Sequence, residues 1–111
     1  MDVYSYGMLL LELVTGVRPT SLMLGNMAMN LPTWCKTLQA SDRIKDVLRD
    51  YDCATLQEAK RLLKLGVQCT YDVAKERPTM YIVRDCILQV KKERVQNESA
   101  TLSEISYHLN N

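Results

Sequence analysis

One segment near the start of the chain is apolar on almost every side of the helix that it would form. Val3 to Thr15 follows Asp2, whose carboxylate can cap a helix, and precedes Gly16, which can end one. A helix of this kind needs neighbours all round. The segment therefore predicts the central helix of a larger body rather than a surface helix of a small domain. Its apolar side chains are Tyr4, Met8, Leu11 and Val14 along one side and Tyr6, Leu9, Leu10 and Leu13 along the other.

Helical spacing of apolar residues recurs in later segments, and nowhere does it give way to the sustained alternation of a strand. Val17 to Asn30 is predicted to be a loop because Pro19 and Gly25 interrupt it. Val95 to Asn111 is polar and weakly patterned. The chain is therefore predicted to be all-α. The later helices are predicted at Leu31 to Leu38, at about Thr55 to Thr70 and from Pro78 onward, with a further turn at Ile44, Val47 and Leu48. In the helix at Thr55 to Thr70, one face is predicted to be lined by Leu56, Ala59, Leu63, Gly66, Val67 and Thr70. In the last helix, the residues at helical spacing are Met80, Val83, Ile87 and Val90.

The composition narrows the class of protein. A chain of 111 residues is one domain or part of one, and an apolar fraction of 47% is ordinary for a globular protein. The net charge of +1 gives no field that would attract nucleic acid or an anionic membrane. The longest apolar run, Met8 to Leu11, is far too short to cross a bilayer. We therefore expect neither a nucleic-acid partner nor membrane insertion by this chain.

The cysteines do not have the spacing of a metal site. Cys35, Cys53, Cys69 and Cys86 make no Cys-x-x-Cys pair, and the single histidine, His108, lies near the C-terminus. This pattern does not fit zinc. We expect four reduced thiols, mostly buried as small hydrophobic side chains.

Two short motifs carry a resemblance to a known family. The first is Asp-Val-Tyr-Ser-Tyr-Gly at residues 2–7, with Glu12 five positions after the glycine, and the second is Arg-Pro-Thr-Met at residues 77–80. They resemble the start of the central helix in the large lobe of protein kinases and the Arg-Pro turn that leads into the last helix of that lobe. The stretches Leu10 to Pro19 and Leu62 to Thr70 are most similar to plant receptor-like serine/threonine kinases.

The resemblance covers about residues 2–93 and implies a fold. It implies the C-terminal helical portion of a kinase-like large lobe, which is an incomplete domain. Residues 1–93 would form this partial kinase domain, and residues 94–111 would form a polar C-terminal tail. Because Met1 falls almost on the first motif, we expect a fragment of a longer parent or an incomplete gene model. We also expect poor stability for the isolated chain, because its apolar first helix would lack about half of its neighbours.

The resemblance assigns structural roles to five residues, which are Asp2, Gly7, Glu12, Arg77 and Pro78. In the family the matching aspartate holds the catalytic loop through backbone amides; without that loop we expect Asp2 to be only a helix cap. The matching arginine pairs with the glutamate of an Ala-Pro-Glu motif that does not occur here, so we expect an exposed Arg77. Glu12 either faces a substrate groove in the parent or lies on a solvated strip, with equal weight. Gly7 and Pro78 match the motifs.

The motifs that carry kinase chemistry are missing. Asp-Phe-Gly cannot occur because the chain has no phenylalanine, and the single histidine starts no His-Arg-Asp. We therefore predict an inactive chain with no catalytic residue, no metal site and no cofactor of its own. The resemblance implies that the intact parent transfers the γ-phosphate of ATP to Ser or Thr hydroxyls with Mg²⁺.

The resemblance also implies partners and a location. The expected partner is the missing N-terminal part of the kinase domain, and other kinases or regulators are further candidates. The chain is expected in the cytoplasm, and its parent at the plasma membrane with the kinase domain on the cytosolic side.

An alternative function is a non-catalytic helical interaction module derived from a kinase lobe. Its surfaces would be the methionine-rich stretch Leu22 to Met29 and the helix around Trp34. Methionines adapt readily to partner surfaces, but they also fill gaps in a protein body. We favour gap filling for this stretch because methionine is more often found in cores.

Overall fold

The computed structural model describes residues 2–18, 23–24, 27–28, 30–48 and 51–110. Within these ranges the fold is all-α, as predicted, apart from one very short hairpin. The helices are α1 (Val3–Thr15), α2 (Leu31–Ala40), α3 (Ile44–Val47), α4 (Cys53–Cys69) and α5 (Met80–Asn110), with a turn of 3₁₀ helix at Ala74–Glu76 and strands β1 (Met23–Leu24) and β2 (Met27–Ala28).

The hairpin lies inside the segment that was predicted to be a loop. Its strands pair antiparallel, with Met23 opposite Ala28 and Leu24 opposite Met27. A strand of two residues is too short to show the period-two alternation that marks strands in a sequence. Two predictions for this segment concern residues or side chains outside what the structure describes. They are the loop signal at Pro19 and the gap-filling role of the side chains of Leu22 to Met29.

The first helix begins and ends where the sequence predicts. Oδ1 of Asp2 accepts a hydrogen bond from the backbone N–H of Ser5 at 2.7 Å. Gly16 has φ of 70°, in the left-handed region, and its N–H donates to the carbonyl oxygen of Glu12 at 2.8 Å. These contacts satisfy backbone groups that a helix end would otherwise leave unpaired.

Two other helices begin with the same kind of cap. Oδ1 of Asn30 accepts from the N–H of Thr33 at 2.9 Å at the start of α2. Oδ1 of Asp52 accepts from the N–H of Thr55 at 2.8 Å at the start of α4. Both helices therefore start slightly before or at the residues that apolar spacing alone suggests.

Helices α1 and α4 cross at two glycines. A Cβ atom added to Gly7 would lie 2.5 Å from Cβ of Cys69 and 3.0 Å from the carbonyl oxygen of Gly66. A Cβ atom added to Gly66 would lie 2.7 Å from Cδ2 of Leu11. Real Cβ atoms do not approach other atoms so closely, so only glycine permits this spacing of the two helices. Leu11 is fully buried at the crossing.

Helix α4 is the central layer because it is buried on two sides. The face predicted from the sequence, with Ala59, Leu63 and Val67, packs toward α1, α2 and α3. A second face, with Leu65 and Cys69, packs toward α5 and was not predicted. The first cluster is completed by Leu11, Val14, Leu31, Cys35, Leu38, Ile44 and Leu48, and the second by Leu10 and Val83.

Burial of α1 is incomplete within this chain. Leu10 and Leu11 are buried, but Leu9 is 43% exposed and Leu13 is 70% exposed. The described residues therefore cover α1 only in part, as expected for this helix within an incomplete domain.

The last helix starts two residues later than predicted and runs much further. Oγ1 of Thr79 accepts from the N–H of Ile82 at 3.2 Å at its start. Val83 and Val90 are buried, as their spacing predicts, whereas Met80 is 39% exposed. The helix continues through the segment predicted as a polar tail, because Asn110 is its last residue. The division of the chain into a kinase-like part and a tail at residue 93 stays a prediction.

Ionic contacts attach the middle of α5 to α4. The guanidinium of Arg94 binds both carboxylate oxygens of Glu58, and Arg61 pairs with Glu93. These pairs join residues more than 30 positions apart, so helical periodicity does not reveal them.

We expect Gly7→Ala to destabilise the fold by about 2–3 kcal/mol, because its Cβ would collide with α4. A suitable control is Gly16→Asn, which adds a side chain in open space and keeps a residue that tolerates positive φ. The control should cost less than about 1 kcal/mol. Urea unfolding followed by circular dichroism gives both values, and equal losses would contradict the close crossing.

Candidate functional site at the contact of Tyr4 with Arg77

The two sequence motifs meet in the structure. The guanidinium carbon of Arg77 lies 4.9 Å from the centre of the Tyr4 ring. Tyr4 belongs to the first turn of α1, and Arg77 directly precedes Pro78 in the turn before α5. A guanidinium over an aromatic face is attracted to it by about 0.5–1 kcal/mol when partly exposed. One stacking contact thus joins a residue of the first motif to a residue of the second.

Arg77 also binds backbone carbonyls at the end of α4. Its Nε donates to the carbonyl oxygen of Tyr71 at 2.7 Å, and its Nη2 donates to that of Asp72 at 3.3 Å. Both residues follow Thr70, the C-cap residue of α4. The negative end of a helix dipole attracts a cation at this position.

The prediction that Arg77 is exposed is therefore wrong. The residue is half-buried and uses its guanidinium for two hydrogen bonds and one ring contact. The prediction assumed that the partner of Arg77 would be a carboxylate. In the fold, Arg77 instead binds carbonyl oxygens and an aromatic ring. Among the described residues, no carboxylate forms an ion pair with Arg77.

Asp2 acts as the helix cap that we expected. Its carboxylate accepts hydrogen bonds from the N–H and, at 3.1 Å, from the hydroxyl of Ser5. The backbone bond, followed by the side-chain bond, lowers the pKa of Asp2 below its ordinary value. The side chain is exposed. Its role in holding a catalytic loop stays a prediction.

The other three motif residues lie at different places. Gly7 forms the crossing with α4, and Pro78 is half-buried beside Arg77 at the start of α5. Glu12 is partly buried ten residues beyond Asp2, which is about 15 Å along the helix. The structure therefore brings the start of the first motif to Arg77 and Pro78, and it leaves Glu12 at the other end of α1.

A small cavity adjoins the site and includes residues that sequence reasoning missed. It has a volume of about 110 Å³ and lies between Tyr4, Lys36 and Tyr71. Nζ of Lys36 lies 5.1 Å from the centre of the Tyr71 ring. Ligand pockets usually measure about 300–1,000 Å³, so this cavity is too small for a nucleotide. The sequence analysis did not find it because Tyr4, Lys36 and Tyr71 are distant in sequence and only the fold brings them together.

A larger groove of about 580 Å³ lies away from this site, between the start of α4 and the distal part of α5. Its charged lining consists of Asp52, Glu58, Glu98 and Arg94, and Arg94 already binds Glu58. Carboxylates outnumber cations there, so the groove would repel the phosphates of a nucleotide.

Two of the thiols are buried, one is partly buried and one is exposed. Cys35 and Cys69 are buried, Cys86 is partly buried, and Cys53 is exposed at the start of α4. Burial raises the pKa of Cys35 to about 12. Burial also raises the pKa of Cys69, and the neighbouring Cys86 raises it further. These two thiols stay protonated at neutral pH, so they are poor nucleophiles and poor metal ligands.

The described residues contain neither a cluster of metal ligands nor a membrane-spanning helix. In residues 2–18, 30–48 and 51–110 with the hairpin, no group of three or more His, Cys, Asp or Glu side chains is placed to hold a metal ion. None of the helices in that part of the chain combines the length and apolar character needed to cross a membrane.

The chain is similar over most of its length to proteins of Arabidopsis thaliana. The chain is 38% identical over 108 residues to Protein BRASSINOSTEROID INSENSITIVE 1 of Arabidopsis thaliana, covering 94% of this chain and 9% of that protein. It is 33% identical over 95 residues to L-type lectin-domain containing receptor kinase S.1, covering 83% of this chain and 14% of that one. It is 30% identical over 86 residues to Probable inactive receptor kinase RLK902, covering 71% and 13%. Both are also from Arabidopsis thaliana.

The chain thus spans only about a tenth to a seventh of the length of these relatives. No protein-family model matches it.

We expect Arg77→Lys to lower stability by about 1–2 kcal/mol, because a lysine cannot bind two carbonyls and stack on Tyr4 at once. Lys75→Met, which removes a charge from an exposed residue of the same turn, is the control and should change stability little. Thermal unfolding measures both. An Arg77→Lys variant as stable as the control would show that Arg77 is not engaged.

The two aspartate caps, Asp2 and Asp52, predict how the stability of the fold depends on pH. The folded-state pKa values of Asp2 and Asp52 lie below 3.8, their ordinary value, chiefly because backbone N–H groups bond their carboxylates. The caps therefore stabilise the fold fully above that pH, and the stabilisation is lost as pH falls through the folded pKa values. Asn caps helices about as well but does not titrate. The Asp2→Asn/Asp52→Asn variant should thus lose less stability between about pH 4 and 2 in urea titrations; an unchanged slope would contradict the assignment.

Proposed function

We propose, from the premise that this chain is a homologue of a segment of plant receptor-like kinases, that it forms the C-terminal helical part of a kinase large lobe. The single observation that best supports this is the contact of Tyr4 with Arg77. It joins the two family-like motifs in space, as expected if both belong to one lobe. Similarity over 94% of the chain to one relative adds to this support.

In this proposal the intact parent catalyses phosphoryl transfer, and the present chain does not. The parent would transfer the γ-phosphate of ATP, with Mg²⁺, to Ser or Thr hydroxyls during signalling. Such catalysis depends on residues that position phosphates and metal ions. The described residues do not fit Mg²⁺, because they contain no carboxylate cluster placed to hold a metal ion. The large groove is also too acidic for a nucleotide.

The partner of the chain would be the N-terminal part of the same kinase domain. Leu9 and Leu13 form an apolar strip on α1 that such a partner would cover. Among the described residues, the half-buried Arg77 binds carbonyl oxygens and an aromatic ring, and in this proposal a carboxylate of the partner pairs with it as well. The chain would act in the cytoplasm, on the cytosolic side of a parent at the plasma membrane.

A second candidate function is a non-catalytic interaction module, and the same exposed strip on α1 favours it. Of the surfaces predicted for such a module, Trp34 is partly buried against the core and offers little area. The side chains of Leu22 to Met29 lie outside what the structure describes. The exposed leucines of α1 are therefore the better candidates.

Incubation of the purified chain with Mg²⁺, labelled ATP and a general acceptor protein tests the inactivity. We expect no phosphate incorporation above a blank without chain. Incorporation that follows the chain quantitatively through two different columns would contradict the proposal.

Binding tests the proposed partner directly. The N-terminal part of the kinase domain of one relative should bind the chain, and Leu13→Glu should weaken this binding at least tenfold. Ile105→Glu changes another exposed apolar residue, near the far end of α5, and is the control. Calorimetry at low micromolar concentration measures both affinities. Equal effects of the two variants, or no binding, would count against the kinase-lobe assignment.

A further inference from the structure

Five large apolar side chains recur at intervals of seven residues along α5, and all five are exposed. An interval of seven residues brings each side chain back to nearly the same side of a helix. We name this row the outer stripe. It consists of Tyr81 (73% exposed), Leu88 (49%), Val95 (53%), Leu102 (66%) and Leu109 (81%).

The outer stripe lies on the exposed side of α5. Leu88 is at the edge of a cavity shared with α1, and Leu102 is at the edge of the groove shared with α4. Val83, Ile87 and Val90 face the core, and Arg94 is bound by Glu58 of α4. These contacts fix the rotation of α5 about its axis. In the part of the chain that the structure describes, no element covers the stripe. A solvated helix face normally carries polar residues, so a continuous apolar row of this length requires a cause.

We propose that the outer stripe binds the outer stripe of a second copy of this chain, with the two helices antiparallel and Val95 of each copy at the two-fold axis. A seven-residue repeat is the pattern by which two helices remain in contact along their length. With Val95 at the axis, Leu88 meets the partner's Leu102, and Tyr81 meets the partner's Leu109. Every member of the stripe is then covered by a member of the other stripe.

The charges that flank the stripe favour the antiparallel direction. On one flank, Lys91 lies seven residues before Glu98. Antiparallel pairing about Val95 brings Lys91 beside the partner's Glu98, and the symmetry produces this attraction twice. In a parallel pair, Lys91 would lie beside the partner's Lys92.

In a parallel pair, Lys91 would be repelled by the partner's Lys92. The same arrangement would place Arg84 beside the partner's Asp85, which is an attraction. Attraction and repulsion would then offset each other, so the antiparallel pair, which has no like-charge contact on these flanks, is favoured.

The contact area indicates a weak dimer. From Tyr81 to Leu109 the stripe is about 42 Å long at the α-helical rise. With a contact width of about 10–12 Å, each copy would bury roughly 450 Å², and the dimer roughly 900 Å². Stable complexes bury about 1,200–2,000 Å². We therefore expect a reversible dimer with a Kd on the order of 10⁻⁵ M.

Sedimentation equilibrium of the full chain from 2 to 200 µM measures this dimer. We expect Val95→Lys to raise the Kd at least tenfold, because it places two ammonium groups at the two-fold axis. Gln96→Lys adds the same charge at the next exposed position, outside the stripe, and should change the Kd less than twofold. Circular dichroism should show equal helicity for both variants, since both positions are exposed.

Charge reversal tests the direction of the helices. Lys91→Glu and Glu98→Lys should each raise the Kd severalfold, and the double variant should restore it to within about twofold of the original, because the reversed pair attracts again. In a parallel dimer, Lys91→Glu would instead lower the Kd, because it removes the contact of two lysines.

Three results would overturn the proposal. The first is a chain that remains monomeric at 200 µM, and the second is a dimer on which Val95→Lys and Gln96→Lys have the same effect. The third is a Lys91→Glu variant that dimerises more tightly than the original chain. None of these outcomes depends on the kinase assignment, because the test uses the chain alone.

Discussion

The close crossing of α1 and α4 at Gly7 and Gly66 is the contact on which the rest of the structure depends. Neither helix can carry a Cβ atom at this point without overlapping the other. The short distance between the helices allows Leu11 to be buried completely. It also makes α4 the central layer, with one face toward α1 and α2 and the other toward α5. A chain with few large aromatic residues thus forms a core from tightly packed leucines, valines and small residues.

The same crossing determines where the two motifs meet. It places the first turn of α1 near the end of α4, where the carbonyl oxygens of Tyr71 and Asp72 bind Arg77. Tyr4 then lies against the guanidinium. Tyr4 and Arg77 belong to the two motifs that carry the family resemblance and are 73 positions apart in sequence. Their contact brings the two motifs together in the fold. The proposed kinase-lobe origin rests on this contact together with the relatives.

Local sequence signals predicted the helices well. Contacts between residues that are distant in sequence could not be predicted in this way. Asp2 and Gly16 marked the ends of α1 because caps act over three or four residues. The face of α4 with Leu63 and Val67 followed from apolar spacing. The second buried face, with Leu65, depends on where α5 packs, and no periodicity encodes that. Arg77 was misjudged for the same reason, since its partners are backbone carbonyls and a ring that only the fold brings to it.

Exposed apolar surface occurs at two separate places, the strip of α1 at Leu9 and Leu13 and the outer stripe of α5. In our proposals the N-terminal part of a kinase domain covers the first, and another copy of the chain covers the second. Hydrogen exchange followed by mass spectrometry, with and without the N-terminal kinase part, tests the central claim most directly. We expect slower exchange in α1 and in residues 71–77 when the N-terminal kinase part is present, with no change in residues 95–109. Unchanged exchange in α1, or protection confined to α5, would contradict it.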